Sequence, residues 1–270
     1  MPRMPTMFIP LGGGPCFFMD WSPLDEWDRH RKFLEDLPAT LPERPRALLV
    51  ISGHWEEPAF TVQISPAPPL LFDYRGFPPH TYELTWPAPG DLALADRVHE
   101  LTRAAGFAAA KDATRGFDHG VFVPLKVAFP DADTPCVQLS LASDLDPARH
   151  IALGRALAPL RDEGVLILSS GNTYHNMSVL MQSLRGGARD DIVGGAFDAW
   201  LTEAVTCPDP EERNRRLARW SDAPGGREAH PREEHLIPLH VVAGAAGADI
   251  GRKTLEDPVM GAVESAFRFG

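Results

Sequence analysis

The chain has 270 residues, 44% of them hydrophobic and 23% charged, and 37 Asp plus Glu against 26 Lys plus Arg give a formal net charge of −11. That is the balance of a globular protein with a sizeable core, and the acidic excess argues against nucleic acid or an anionic membrane as partner. The cysteines at 16, 136 and 207 are too few and scattered for a disulfide framework.

Residues 7–10 read as a short buried strand ending in Gly12-Gly13-Gly14-Pro15, and 25–37 has helical spacing. Residues 45–52 (PRALLVIS) have the near-continuous apolar pattern of a strand buried on both faces, leading into Gly53-His54-Trp55. Residues 60–64 alternate like a neighbouring strand. The stretch 65–90 is dense in proline and aromatics, which suits a long packed loop. Helices are expected over 92–105, 121–129, 146–161, 191–205, 211–220 and 236–248. Strands are expected over 134–141 and 164–170, with one or two more in 254–269. The alternation predicts one α/β domain spanning 1–270, with a central, mostly parallel or mixed twisted sheet flanked by helices. Its ligands would gather at the carboxyl ends of the strands. The apolar runs fall short of the ~20 residues of a membrane helix, and the default location is the cytoplasm.

Ten histidines need an explanation. His54 and His175 follow apolar strands, His119 lies in the polar turn Gly116-Phe117-Asp118-His119-Gly120, and His235 opens an apolar segment. Each alone reads as a structural or surface residue. Together at element ends they suggest a transition-metal site or acid–base groups working near neutral pH. The others read more blandly: His30, His99 and His150 as surface residues on helices, and His240 as a packing residue. His80 and His230 are free to reach a pocket, but their spacing does not require it. No GxSxG elbow, phosphate-binding GxxxxGK[ST] or HExxH occurs.

Seven segments in chain order carry a resemblance: Phe8-Ile9-Pro10-Leu11-Gly12-Gly13-Gly14-Pro15, Ser52-Gly53-His54-Trp55, Asp73-Tyr74-Arg75-Gly76-Phe77-Pro78, Tyr82 with Trp86-Pro87-Ala88-Pro89-Gly90, Gly116-Phe117-Asp118-His119-Gly120, Gly171-Asn172-Thr173-Tyr174-His175-Asn176, and Glu234-His235-Leu236-Ile237-Pro238-Leu239. Across about residues 5–269 the chain resembles the class III extradiol ring-cleaving dioxygenases, in the DOPA 4,5-dioxygenase-type branch. The resemblance implies a non-haem Fe(II) enzyme that opens the ring of a small aromatic diol with O₂. It implies His54 and His235 as metal ligands, His175 as acid and base, and His119 as a substrate or oxygen contact with Asp118 as its orienter. Phe77, Tyr82 and Trp86 would wall the ring, and Arg75 would pair a substrate carboxylate.

One departure stands out. The family's first ligand histidine falls on Leu11, which cannot bind a metal. Three readings follow: His175, Asp20 or Cys16 completes a reorganised site, in which a soft Cys would favour Zn(II) over Fe(II); the chain is a weakly binding, impaired variant; or water fills the place. Two rival classes stay open, a zinc-dependent hydrolase, for which Glu56, Glu57 or Glu234 would be the base, and a non-catalytic small-molecule-binding protein on the same scaffold.

Overall fold

The computed structural model describes residues 2–184 and 193–270. Among them, one eight-stranded mixed sheet organises the chain. In chain order its strands are β1 (Thr6–Pro10), β2 (Ala47–Glu57), β3 (Phe60–Gln63), β4 (Ala109–Asp112), β5 (Cys136–Ala142), β6 (Val165–Gly171), β7 (Gly251–Val259) and β8 (Ala262–Phe269). Their spatial order is β4-β3-β5-β2-β6-β1-β8-β7. The four central strands β5, β2, β6 and β1 are mutually parallel, whereas β3 and β8 run antiparallel to their inner neighbours. β5 and β6 are buried at every residue, as continuous apolar strands covered on both faces must be.

The helices are α1 (Asp28–Asp36), α2 (Leu92–Ala104), α3 (His119–Ala128), α4 (Pro147–Leu157), α5 (Met177–Leu184), α6 (Gly195–Val205), α7 (Pro210–Leu217), α8 (Gly226–Ala229) and α9 (Ile237–Ala246). α9, buried at every residue, packs on α4 and on β6 and β1. It crosses α4 through two glycines: a Cβ on Gly154 would sit 2.0 Å from the Val241 carbonyl, and one on Gly244 would sit 2.1 Å from that of Ile151. Asp91, Asp146 and Asp209 cap α2, α4 and α7, each accepting a hydrogen bond from a free amide of the first turn.

The mixed sheet and its flanking helices agree with the expected fold class, with several local corrections. β2 continues five residues past its apolar run, to Glu57, and carries Gly53, His54 and Trp55 inside the strand. β4 and α5 are elements the hydrophobic pattern does not announce, β4 because its four residues are all at least partly exposed. His119 opens helix α3 and does not lie in a free turn. Of the helix expected over 191–205, residues 191 and 192 lie outside the described residues, and the helix begins at Gly195. Among the described residues no helix is long and apolar enough to cross a membrane.

β2 departs from its partner in one place. It pairs with β5 in constant register from Leu48–Cys136 to Ile51–Leu139, and pairing resumes at Glu56–Leu141, so the intervening stretch of β2 is longer than the β5 segment opposite. That slack backbone presents His54.

Candidate metal and substrate site

A cavity of about 560 Å³ opens at the carboxyl ends of β1, β2 and β6, where ligands collect in sheets of this kind. His54, His119, His175 and His235 all line it, together with Leu11, Asn172 and Glu264.

Close backbone packing brings the four rings together. Gly171, the last residue of β6, lies so near the chain before α9 that a Cβ there would sit 2.0 Å from the His235 carbonyl. A Cβ on Gly53 would sit 2.9 Å from the Glu234 carbonyl. Asn172 N–H donates to the His235 carbonyl at 3.1 Å, fixing the segment after β6 against the start of α9. Asp118, fully buried, accepts from Ser52 Oγ at 2.7 Å, from Arg115 at 3.0 Å and from Gln138 Nε2, while Arg115 also donates to the His54 carbonyl at 3.1 Å. Asp118 thus braces the slack stretch of β2. It does not orient His119, which corrects the sequence expectation.

Asp73 has that place. Its Oδ1 accepts from His119 Nδ1 at 2.7 Å and from His119 N–H at 3.1 Å, and its Oδ2 lies 3.3 Å from His54 Nδ1. Glu234 mirrors it: Oε1 lies 3.0 Å from His235 Nδ1 and 3.1 Å from His175 Nδ1. The His175 and His235 rings stack with centroids 3.4 Å apart, and the His54 and His119 centroids are 4.0 Å apart. Each carboxylate therefore braces two imidazoles, and the pairs meet where His54 Nε2 and His235 Nε2 stand 3.2 Å apart.

The electrostatics divide accordingly. Burial would raise the carboxyls of Asp73 and Glu234, but their bonds to the histidine pairs override it and hold both well below the usual range. Burial holds His235 well below an ordinary histidine, and His119 is lowered for the same reason. His54 is raised: burial opposes its charge, and the bond it donates to Asp73, with the fields of Asp118, Asp73 and Glu234, outweighs it.

The two Nε2 atoms fit a metal ion. Two imidazole nitrogens 3.2 Å apart are the donor type and spacing that one first-row metal ion could take. Each ring has its other nitrogen held by a carboxylate, the usual support of metal-ligating histidines. Among the described residues, two sets of three donors lie within 4.8 Å of one another, His54–Asp73–His119 and His175–Glu234–His235. In both sets the carboxylate faces the Nδ1 side of the rings, away from the point where the two Nε2 atoms converge.

Leu11 lies just past β1, 2% exposed, with its N–H donated to the Gly171 carbonyl at 2.7 Å and its side chain on the cavity. Of its suggested substitutes, only His175 reaches the cavity. Asp20 is exposed and lines none of it. Cys16 is buried outside it, its thiol pushed up to about 12 by that burial, and so it is no thiolate donor. Phe77 and Arg75 line the cavity as expected, but Trp86 is buried elsewhere, with its indole N–H on the Phe129 carbonyl, and Tyr82 also lies off the lining. Tyr74 takes that wall position, joined by Trp21, Trp27, Met177, Met181 and Met260. Glu56 pairs with Arg232, and Glu57 accepts from Trp55 Nε1, so neither is a free base.

Three bland readings are also corrected. His30 and His150 are fully buried, not solvated, and His230 is buried off the cavity with Nε2 on the Thr173 carbonyl at 2.9 Å. Sequence reasoning missed Asp73 and Glu264 as site residues. Asp73 stands inside one of the seven quoted segments, which was a usable signal, whereas nothing local singles out Glu264.

Comparison with known proteins identifies the family. Residues 22–268 match the family described as the catalytic LigB subunit of aromatic ring-opening dioxygenase. The chain is 41% identical over 226 residues to the 4,5-DOPA dioxygenase extradiol of Beta vulgaris, covering 83% of this chain and 82% of that one. It is 36% identical to the protein of the same name from Escherichia coli K12, over 96% of this chain and 90% of that one. A crystal structure of an uncharacterized protein from Escherichia coli K12 superposes with a TM-score of 0.80 at 32% identity, over 99% of this chain and 100% of the other. The chain belongs to the LigB family, the class III extradiol dioxygenases.

Proposed function

We propose that this protein is an Fe(II)-dependent extradiol dioxygenase that opens the ring of a catechol-type substrate with O₂, using His54 and His235 as metal ligands. The supporting observation is the convergence of two carboxylate-braced imidazoles at an Nε2–Nε2 distance of 3.2 Å on the floor of an apolar cavity. Bound Fe(II) would hold catecholate and O₂ together and pass electron density between them; Zn(II) suits the same nitrogens but not that chemistry.

The remaining work falls to the chain. His175, with Nδ1 fixed by Glu234, has its other nitrogen available to take a phenolic proton and later return it. His119, kept neutral by burial and donating Nδ1–H to Asp73, presents an Nε2 acceptor to a substrate hydroxyl. Tyr74 and Phe77, edge to face at 5.4 Å, wall the ring, and Arg75 at the rim offers a cation to a substrate carboxylate. The apolar walls exclude water from the reacting centre.

Leu11 favours a second reading: a weakly metal-binding or non-catalytic member that still holds small aromatics. Oxygen uptake with a panel of catechols after anaerobic Fe(II) reconstitution separates the two. Uptake with new near-ultraviolet or visible absorbance is expected. Metal-loaded protein that consumes no oxygen with any catechol would leave the binding reading.

A further inference from the structure

The strand next to β1 carries a carboxyl group that shares the cavity with the leucine. β8 pairs antiparallel with β1, Thr6 opposite Phe269, Met7 opposite Arg268 and Phe8 opposite Phe267. The pairing ends there: the Pro10 carbonyl lies on His30 Nε2 at 2.8 Å, and Ser265 N–H donates to Thr173 Oγ1 at 2.9 Å. Leu11, just past β1, and Glu264, on β8, nevertheless line the same cavity as His54 and His235.

Glu264 is an unusual residue for that place. It is 5% exposed, and no Lys, Arg or His pairs with it among the described residues. Its Oε2 accepts from Thr173 N–H at 2.8 Å and Thr173 Oγ1 at 3.2 Å, and Ser265 N–H in turn donates to that hydroxyl at 2.9 Å. A carboxyl buried beside an apolar wall without a cation is costly to keep unless it has a use. The two carboxylates already beside the histidines, Asp73 and Glu234, are committed to the Nδ1 side of their rings. Glu264 shares the cavity wall with Leu11, where a donor is lacking.

We propose that Glu264 supplies the third metal ligand in place of the histidine that Leu11 replaces, making a site of His54, His235 and Glu264. The inference rests on the His54–His235 reading above. Two histidines and one carboxylate with open positions are the donor set that suits non-haem Fe(II) and O₂ chemistry. A glutamate is about as long as a histidine, and Glu264 is the one carboxyl among the described residues that line the cavity. In the structure Glu264 is in neither close donor set. Ligation therefore requires the carboxyl to swing from Thr173 toward the two Nε2 atoms.

The test is Co(II) titration of the metal-stripped full chain, followed by ligand-field absorbance. Supporting parts of a metal site are worth about 10–100-fold in affinity, and a direct ligand no less. Glu264→Gln is therefore expected to weaken Co(II) binding at least about tenfold. Glu264→Asp, which keeps the charge but shortens the reach, is expected to weaken it too. Leu11→His added to Glu264→Gln should restore binding, an outcome a folding defect does not give. Unchanged affinity in Glu264→Gln with binding lost in His54→Ala overturns the Glu264 assignment and leaves the histidine pair standing. Loss in His175→Ala with none in Glu264→Gln overturns it in favour of His175. Full binding in His54→Ala removes the histidine reading itself, and the inference with it.

Discussion

Two populations of buried histidine share this fold, and their surroundings differ in one respect. His30, His150, His230 and His240 place their ring nitrogens on the backbone: on the carbonyls of Pro10, Asp146, Thr173 and both Leu236 and Leu217, with His150 Nε2 also accepting from Ala142 N–H. His54, His119, His175 and His235 place theirs on carboxylates and on each other. Burial is therefore no guide to role, since both groups are largely out of water. A backbone carbonyl satisfies one neutral ring and stops there. A carboxylate gives the ring a fixed orientation and a more basic free nitrogen, which a metal or a substrate proton can use.

The comparison breaks most visibly at the ligands. His235→Ala should reduce metal affinity by more than about 100-fold and abolish ring-opening turnover, measured by metal titration and oxygen uptake. Retained affinity would move His235 to the other population. His175→Gln should lower turnover by about 10²–10⁴-fold while leaving metal affinity within a few fold, the separation expected of an acid–base group. Equal losses in both measurements would make it a ligand. Asp73→Asn and Glu234→Gln keep shape but remove charge, and each should cost about 10–100-fold in metal affinity. If neither does, the carboxylates are packing partners only.

The structural histidines should appear in stability instead. Burial lowers His30 and His150 to about 4 and His230 to about 3. Their folded values lie below the unfolded value near 6.5, so the folded chain holds fewer protons as acid is added. The stability is whole above pH 6.5 and is lost as pH falls toward 4. Each ring should account for about 2 kcal/mol between pH 7 and pH 5. His150→Gln, compared with the parent by urea unfolding at those two pH values, should flatten the decline by one ring's share. An unchanged decline would show that His150 is not held neutral.

The α/β order was readable because buried parallel strands such as β6 open on unbroken apolar runs, here residues 165–168. Of the four cavity histidines, His54 and His175 were readable from their position after such runs, and all four from the quoted segments. What escaped depends on distance in the chain. Asp73 meets His119 across 46 residues, and Glu264 meets Thr173 across 91, with no local pattern to signal either contact. His30 was misjudged because a charged helix, Asp28-Arg29-His30-Arg31, looks solvated even though one of its faces docks on the Pro10 carbonyl.

The slack in β2 sets a rule for how this site can vary. Side chains along a strand alternate between faces, so the number of residues there decides which ones look into the cavity. Removing one residue between Ile51 and His54 would turn His54 away and bring its neighbour round, without altering any ligand's identity. The stretch can therefore accept many changes of letter but few changes of length. In this part of the molecule, spacing itself works as a functional residue.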